Sequence, residues 1–291
     1  VLSQLLAILL PVVVCVAIGW TLARRGKALP SASVTVLVAD VGGPCLTFHS
    51  LAQAALDPAR VLEMAGATAA AIVIFALLGF AAARVFRWPA HSFVPPVTFA
   101  NTGNMGLPLC MFAFGEDALG LAVACFAMFT VFQFSLGIWV WTGKSSAREA
   151  LSSPILWGSL IGFCFAWFRI EAPAFVLNTT RLLGNLSIPL MLITLGVSLA
   201  GMRVTSVTRS LVASGLRLIV GPAVGLVLAD AFELTGDARG VLILQCAMPV
   251  AVFNYLLALR YGRDAEDVAS LIVASTLLSL VTLPLLLSQL I

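Results

Sequence analysis

Charge is what this sequence has least of. Only 10% of its 291 residues are Asp, Glu, Lys or Arg, against about a quarter in a soluble domain. So little charge cannot cover a water-facing surface, which excludes a soluble globular fold and makes lipid the solvent around most of the chain. Histidine is nearly absent: His49 and His91 lie far apart in unlike settings, so no metal site is expected. Six cysteines, Cys15, Cys45, Cys110, Cys125, Cys164 and Cys246, all fall inside or against apolar runs. That placement reads as buried thiols and excludes a disulfide framework. Also missing are a glycine-rich phosphate loop before a lysine, paired acids at useful spacing and any Ser, His and Asp set. An enzyme, a nucleotide-driven pump and a resident cofactor are therefore not expected. The small basic excess falls in loops and does not argue for nucleic acid.

What is abundant is apolar length: 61% of residues are hydrophobic. The clearest runs, Leu5 to Leu22, Ala67 to Ala83 and Leu119 to Trp141, approach or exceed the roughly 17 to 25 residues that cross a bilayer as a helix. They are apolar on every face, which favours helices over a barrel of alternating strands. Leu5 to Leu22 has the length of a secretion signal, but it shows no cleavage site and similar segments recur along the chain. The pattern predicts ten spans, at 3–22, 31–54, 63–83, 93–114, 119–141, 154–170, 174–200, 207–229, 238–259 and 267–289.

Assigning the loops alternately to two faces gives one face Arg24, Arg25, Lys27, Arg84, Arg87, Lys144, Arg148, Arg203, Arg209, Arg260 and Arg263, and the other only Arg60, Arg169 and Arg239. The positive-inside rule makes the first face cytoplasmic and puts both termini outside. Proline marks a repeat as well, because Pro30 and Pro173, Pro44 and Pro189, and Pro108 and Pro249 are each separated by about half the chain. The expected fold is an all-α membrane protein of ten transmembrane helices in two inverted five-helix repeats. It would divide into 1–142, a cytoplasmic linker at 143–153, and 154–291, with broken, crossing helices four and nine.

The breaks carry the chemistry. In Asn101-Thr102-Gly103-Asn104-Met105-Gly106-Leu107-Pro108, glycine lets the chain leave helical geometry and Pro108 suits the first turn of a new helix. Asn101 and Asn104 bring carboxamides that bind a carboxylate through NH2 or a cation through C=O. Gln245, Pro249 and Asn254 answer them in the second half. A half-helix start adds free N–H groups and a positive dipole end, which favours an anion; helix capping is the structural alternative for the asparagines. Asp40 and Arg217 are the ionisable groups at membrane depth, and such groups are costly enough to suggest function. Thr130, Gln133, Ser275 and Thr276 are further candidates to line a cavity or an ion site, although hydroxyls also pack membrane helices. Phe126, Phe129, Phe132 and Phe134 are expected to pack.

On the segments NTGNMGLPL at 101–109, LLGNLSIPLMLITLGVSLA at 182–200, QCAMPVAVFNYLLALRYG at 245–262 and ASTLLSLVTLPLL at 274–286, the chain resembles the auxin efflux carrier family, as a bacterial member. The resemblance implies a fold like that of bile acid sodium symporters, with a scaffold domain and a core domain. It also implies organic anions such as malate, malonate or indole acetate as substrates, and puts crossover residues on Asn104, Pro108 and Pro249. The plant proteins pair asparagine with proline at the first break, whereas this chain reads Asn104-Met105-Gly106-Leu107-Pro108, so auxin itself is not assigned.

The expected function is secondary transport of small mono- or dicarboxylates by alternating access. It would be driven by the membrane potential or coupled to sodium or protons, with Asn101, Asn104, Gly106, Pro108, Gln245, Pro249 and Asn254 at the substrate. The alternatives are a sodium-coupled symporter of the bile acid type, and an anion channel or receptor. The expected location is the bacterial inner membrane, with lipid, the anion and a second copy of the chain, in a homodimer, as partners.

Overall fold

The computed structural model describes residues 2–27, 31–53, 57–143 and 151–291. Pro30, Lys144 and Arg148 lie outside the described residues, as does 144–150 of the expected linker. The described chain is helical almost throughout, as a chain in lipid must be to satisfy its backbone internally.

The expectation of ten transmembrane helices in two inverted five-helix repeats is corrected by the structure. Among the described residues six helices are long and apolar enough to cross a membrane: Ser3–Arg24, Pro58–Val85, Glu116–Thr142, Ala174–Gly201, Val207–Ala231 and Ala265–Leu290. A shorter apolar helix spans Pro154–Trp167. The other spans counted from the sequence are made of pieces. One comprises Ser31–Val36, a π-helix Leu37–Gly42 and Gly43–Gln53. A second comprises Ala90–Thr98, a π-helix Thr102–Gly106 and Leu107–Phe114. The third comprises Gly236–Cys246 and Phe253–Arg260. The physical reason is that glycine and proline fall where a crossing helix would need its middle turns, so apolar length alone overcounts crossings. Proline by itself is tolerated, for Pro11, Pro189, Pro222 and Pro284 all lie inside long helices.

Local signals fix the ends of the long helices. Asp57 caps helix 58–85 by accepting the Ala59 N–H at 3.0 Å, with Pro58 in the first turn. Gly115, at φ 88°, ends helix 107–114 and lets the chain turn into 116–132, whose first turn carries Glu116 and Asp117. Helices 2–24 and 174–201 meet where Gly19 faces the Ile193 carbonyl and Gly196 the Val16 carbonyl. Small residues there let two backbones approach closely, which is how helices associate when lipid removes the hydrophobic drive. The largest apolar core gathers residues from helices 58–85, 107–114, 116–132 and 236–246, including Met64, Leu107, Cys125 and Leu242. Lipid-facing sides remain apolar, as Leu77, Val227 and Val281 illustrate.

Candidate functional site

The two interrupted segments meet at their gaps. Ala100 and Val250 form an isolated antiparallel bridge, in which the Asn101 N–H donates to the Pro249 carbonyl at 2.7 Å and the Ala251 N–H to the Phe99 carbonyl at 3.1 Å. Each gap thus supplies the backbone partners that the other lacks, the condition under which non-helical chain survives in a membrane. Asn254 reinforces the junction. Its Nδ2 donates to the carbonyls of Phe99 and Ala251, each at 3.1 Å, while its Oδ1 accepts from Gln133 Nε2 at 3.3 Å. Behind Val250, Ser275 Oγ accepts the Val250 N–H at 3.1 Å.

Beside this junction lies a cavity of about 460 Å³, within the usual size of a small-molecule site. Its floor is the first gap, Ala100 to Asn104, together with Ala251, Val252 and Phe253 at the start of helix 253–260. Thr130, Gln133 and the rings of Phe126, Phe129 and Phe134 form one wall. Met191, Thr194 and Ser198 of helix 174–201 face them, and Asp40 and Arg260 supply charge of either sign. Each of the three π-helices contributes to this lining: Leu37–Gly42 through Val38 to Asp40, Thr102–Gly106 through Thr102 to Asn104, and Gln133–Gly137 through Gln133 and Phe134. A π turn shifts the helical register and loosens regular pairing, and such turns concentrate at functional sites.

Of the residues singled out in the sequence, Asn101, Asn104, Asp40, Thr130 and Gln133 line the cavity. Asn101 is buried, with its Nδ2 unpartnered among the described residues, and Asn104 is half-buried. The others stand behind it. Pro108 is in the first turn of helix 107–114. Gly106 abuts the buried Gln245 side chain, and a Cβ at 106 would run into Gln245 Oε1. Pro249 offers its carbonyl to Asn101, and Asn254 and Ser275 hold the junction. Thr276 is buried with its hydroxyl unpartnered among the described residues, and Arg217 is buried away from the cavity against Phe75.

The site differs from the sequence reading in three respects. Phe126, Phe129 and Phe134, expected only to pack, line the cavity. Thr194 and Ser198 escaped notice, although their four-residue spacing after Pro189 puts them on one helix face. Arg260, a loop residue on the sequence reading, closes helix 253–260, lines the cavity and lies over the Tyr261 ring at 5.5 Å.

Among the described residues no group of three or more His, Cys, Asp or Glu is placed to hold a metal. The arrangement gathers carboxamides, hydroxyls and two helix starts around one cavity inside a membrane protein.

Comparison with known proteins agrees with that character. The family model described as membrane transport protein matches residues 5–143 and 138–287. An uncharacterized transporter of Methanocaldococcus jannaschii is 29% identical over 195 residues, covering 64% of this chain and 63% of its own. Another, from Methanothermobacter thermautotrophicus, is 31% identical over 194 residues, again 64% of this chain and 63% of its own. Auxin efflux carrier component 1 of Arabidopsis thaliana is 27% identical over 141 residues, which are 46% of this chain and 22% of the plant protein. The matches thus span less than two thirds of each relative's length. The chain is a multi-pass membrane protein, and it belongs to the membrane transport protein superfamily that includes the auxin efflux carriers.

Proposed function

We propose that this protein carries small organic anions, mono- or dicarboxylates, by alternating access, with the anion held in the cavity beside the paired gaps. The observation that carries the reading is the convergence of two helix starts, at Thr102 and Phe253, on one cavity that also contains Asn101 and Asn104. The Thr102, Asn254 and Tyr255 amides already donate to the carbonyls of Ala100, Ala251 and Val252, but each helix start carries the positive end of its dipole, so a carboxylate is stabilised there. The Asn101 and Asn104 NH2 groups add donors, and Gln133 adds a carbonyl and an amide. Asp40 is the acid of the lining, and it is the coupling group if transport draws on protons or sodium; efflux driven by the membrane potential needs none.

The protein is assigned to the bacterial inner membrane with both termini outside. Arg24 ends the first crossing helix, Arg25 and Lys27 follow it, and Arg260 and Arg263 precede the last, so the positive-inside rule favours both flanks in the cytoplasm. A homodimer is the proposed assembly.

The test is flux of labelled malate or malonate into proteoliposomes. Asn104→Ala removes a hydrogen bond to a charged ligand worth about 1.5 to 3 kcal/mol, or roughly tenfold to over a hundredfold in affinity, and is expected to abolish most flux while the protein stays folded. Flux equal to the unaltered protein's would overturn the site. Imposing sodium and pH gradients separately then identifies the coupling mode.

A further inference from the structure

Arg217 is a cation in the protein interior with no counter-ion among the described residues. It is 3% exposed, and all three of its side-chain nitrogens lack a hydrogen-bond partner among the described residues. The ion pairs found among those residues are His91 with Asp264, Arg209 with Asp267 and Arg239 with Asp230, none involving Arg217. One face of its guanidinium is covered by the Phe75 ring, 4.3 Å away, a contact that offsets only part of the cost of burying a charge. Something else of negative character must lie beside it.

The neighbour that meets this need is the end of helix 236–246. A helix C-terminus leaves carbonyls without donors and carries about half a negative charge. Here the Ala247 N–H turns back to the Ile243 and Leu244 carbonyls at 3.0 and 3.1 Å. The N–H that would continue the helix onto Cys246, that of Val250, is given to Ser275 instead. The Cys246 carbonyl lies over Gly221, one turn beyond Arg217 on the same face, where an added Cβ would crowd both that oxygen and Arg217 Nη1. Arg217, Gly221 and the end of the interrupted helix therefore lie together in the buried interior, apart from the cavity lining.

We propose that Arg217 is a positioning residue: its fixed positive charge holds the C-terminal end of helix 236–246 in place and thereby sets the gap that presents Val252 and Phe253 to the cavity. Its consequence for flux rests on the carrier reading above, whereas its consequence for the helix end does not. Two measurements separate them.

The first is peptide-resolved labelling of Cys246 by a membrane-permeant maleimide in the full-length protein and in Arg217→Lys, Arg217→Gln and Arg217→Met. Cys246 is 0% exposed, so the unaltered protein and the lysine variant are expected to label slowly. The two neutral variants should label at least about tenfold faster, the scale of a lost charge interaction with a buried helix end. Equal labelling in all four proteins overturns the proposal. So do neutral variants that match the lysine variant in both labelling and melting temperature, and failure of both neutral variants to fold beside a folded lysine variant supports it. The second measurement is malate flux: Arg217→Lys is expected to retain it, and the neutral variants to lose it with a raised half-saturation, because the helix start at Phe253 no longer meets the anion. If the unaltered protein carries no carboxylate, the carrier reading fails while the labelling still decides the role of Arg217.

Discussion

The two interruptions differ in what they give and what they need. The first, Phe99 to Gly106, is rich in polar side chains and directs Asn101, Thr102 and Asn104 to the cavity. The second, Ala247 to Val252, contains no polar side chain at all, and its backbone is satisfied by outsiders: Asn101 donates to Pro249, Ser275 accepts from Val250, and the Phe99 carbonyl accepts from Ala251. Both solve the same problem, unpaired backbone inside lipid. The first break turns polar side chains to the cavity, whereas the second is a frame held by its neighbours.

That contrast can be broken by experiment. Damage to the frame should appear as lost stability, and damage to the first break as lost flux. The largest effect is expected from Gly221→Val, because its side chain would run into the Cys246 carbonyl, which is backbone and cannot move aside. Overpacking of that kind costs about 3 kcal/mol, seen as a lower melting temperature in detergent. Next comes Asn254→Ala, which deletes the hydrogen bonds to Phe99 and Ala251 and from Gln133. At about 1 kcal/mol for each buried bond, a loss of roughly 2 to 3 kcal/mol is expected in the same melt. Ser275→Ala leaves the Val250 N–H buried without its acceptor, costing about 1 to 2 kcal/mol. Smallest in stability, and sharpest as a test, is Asn104→Ala: its side chain is half-buried at the cavity, and the melting temperature should hardly move while flux falls. A melt as depressed as that of Asn254→Ala would erase the distinction between the two breaks.

Much of the first break was legible because its chemistry is local. Glycines, Pro108 and two carboxamides within eight residues report a departure from helix and a polar lining at once. The second was legible as a proline in an apolar segment flanked by the carboxamides of Gln245 and Asn254, but not as a frame, since the groups that hold its backbone, Asn101 and Ser275, lie outside it. Asn254 illustrates the limit: a carboxamide near a break reads as a ligand, yet its donors and acceptor are already engaged by Phe99, Ala251 and Gln133. The same limit explains the overcount of crossings, for hydropathy counts apolar residues and is blind to where a helix stops. Arg217 was visible as a membrane-depth charge, but whether it met a solute, the headgroups or a helix end depended on the position of helix 236–246.

Composition by itself determined that this chain lives in lipid, is helical, and carries interruptions near Asn101 to Pro108 and around Pro249. Those conclusions follow from charge density, apolar run length and backbone chemistry, each a property of neighbours along the chain. Only the tertiary structure decided which helices are long enough to cross, which carboxamides reach the cavity, and that Phe126, Phe129, Phe134, Thr194 and Ser198 line it with them. The reason is physical: a buried polar group is defined by the partner it finds, and at this junction some of those partners come from segments more than a hundred residues apart, as in the bonds of Asn254 with Phe99 and Gln133.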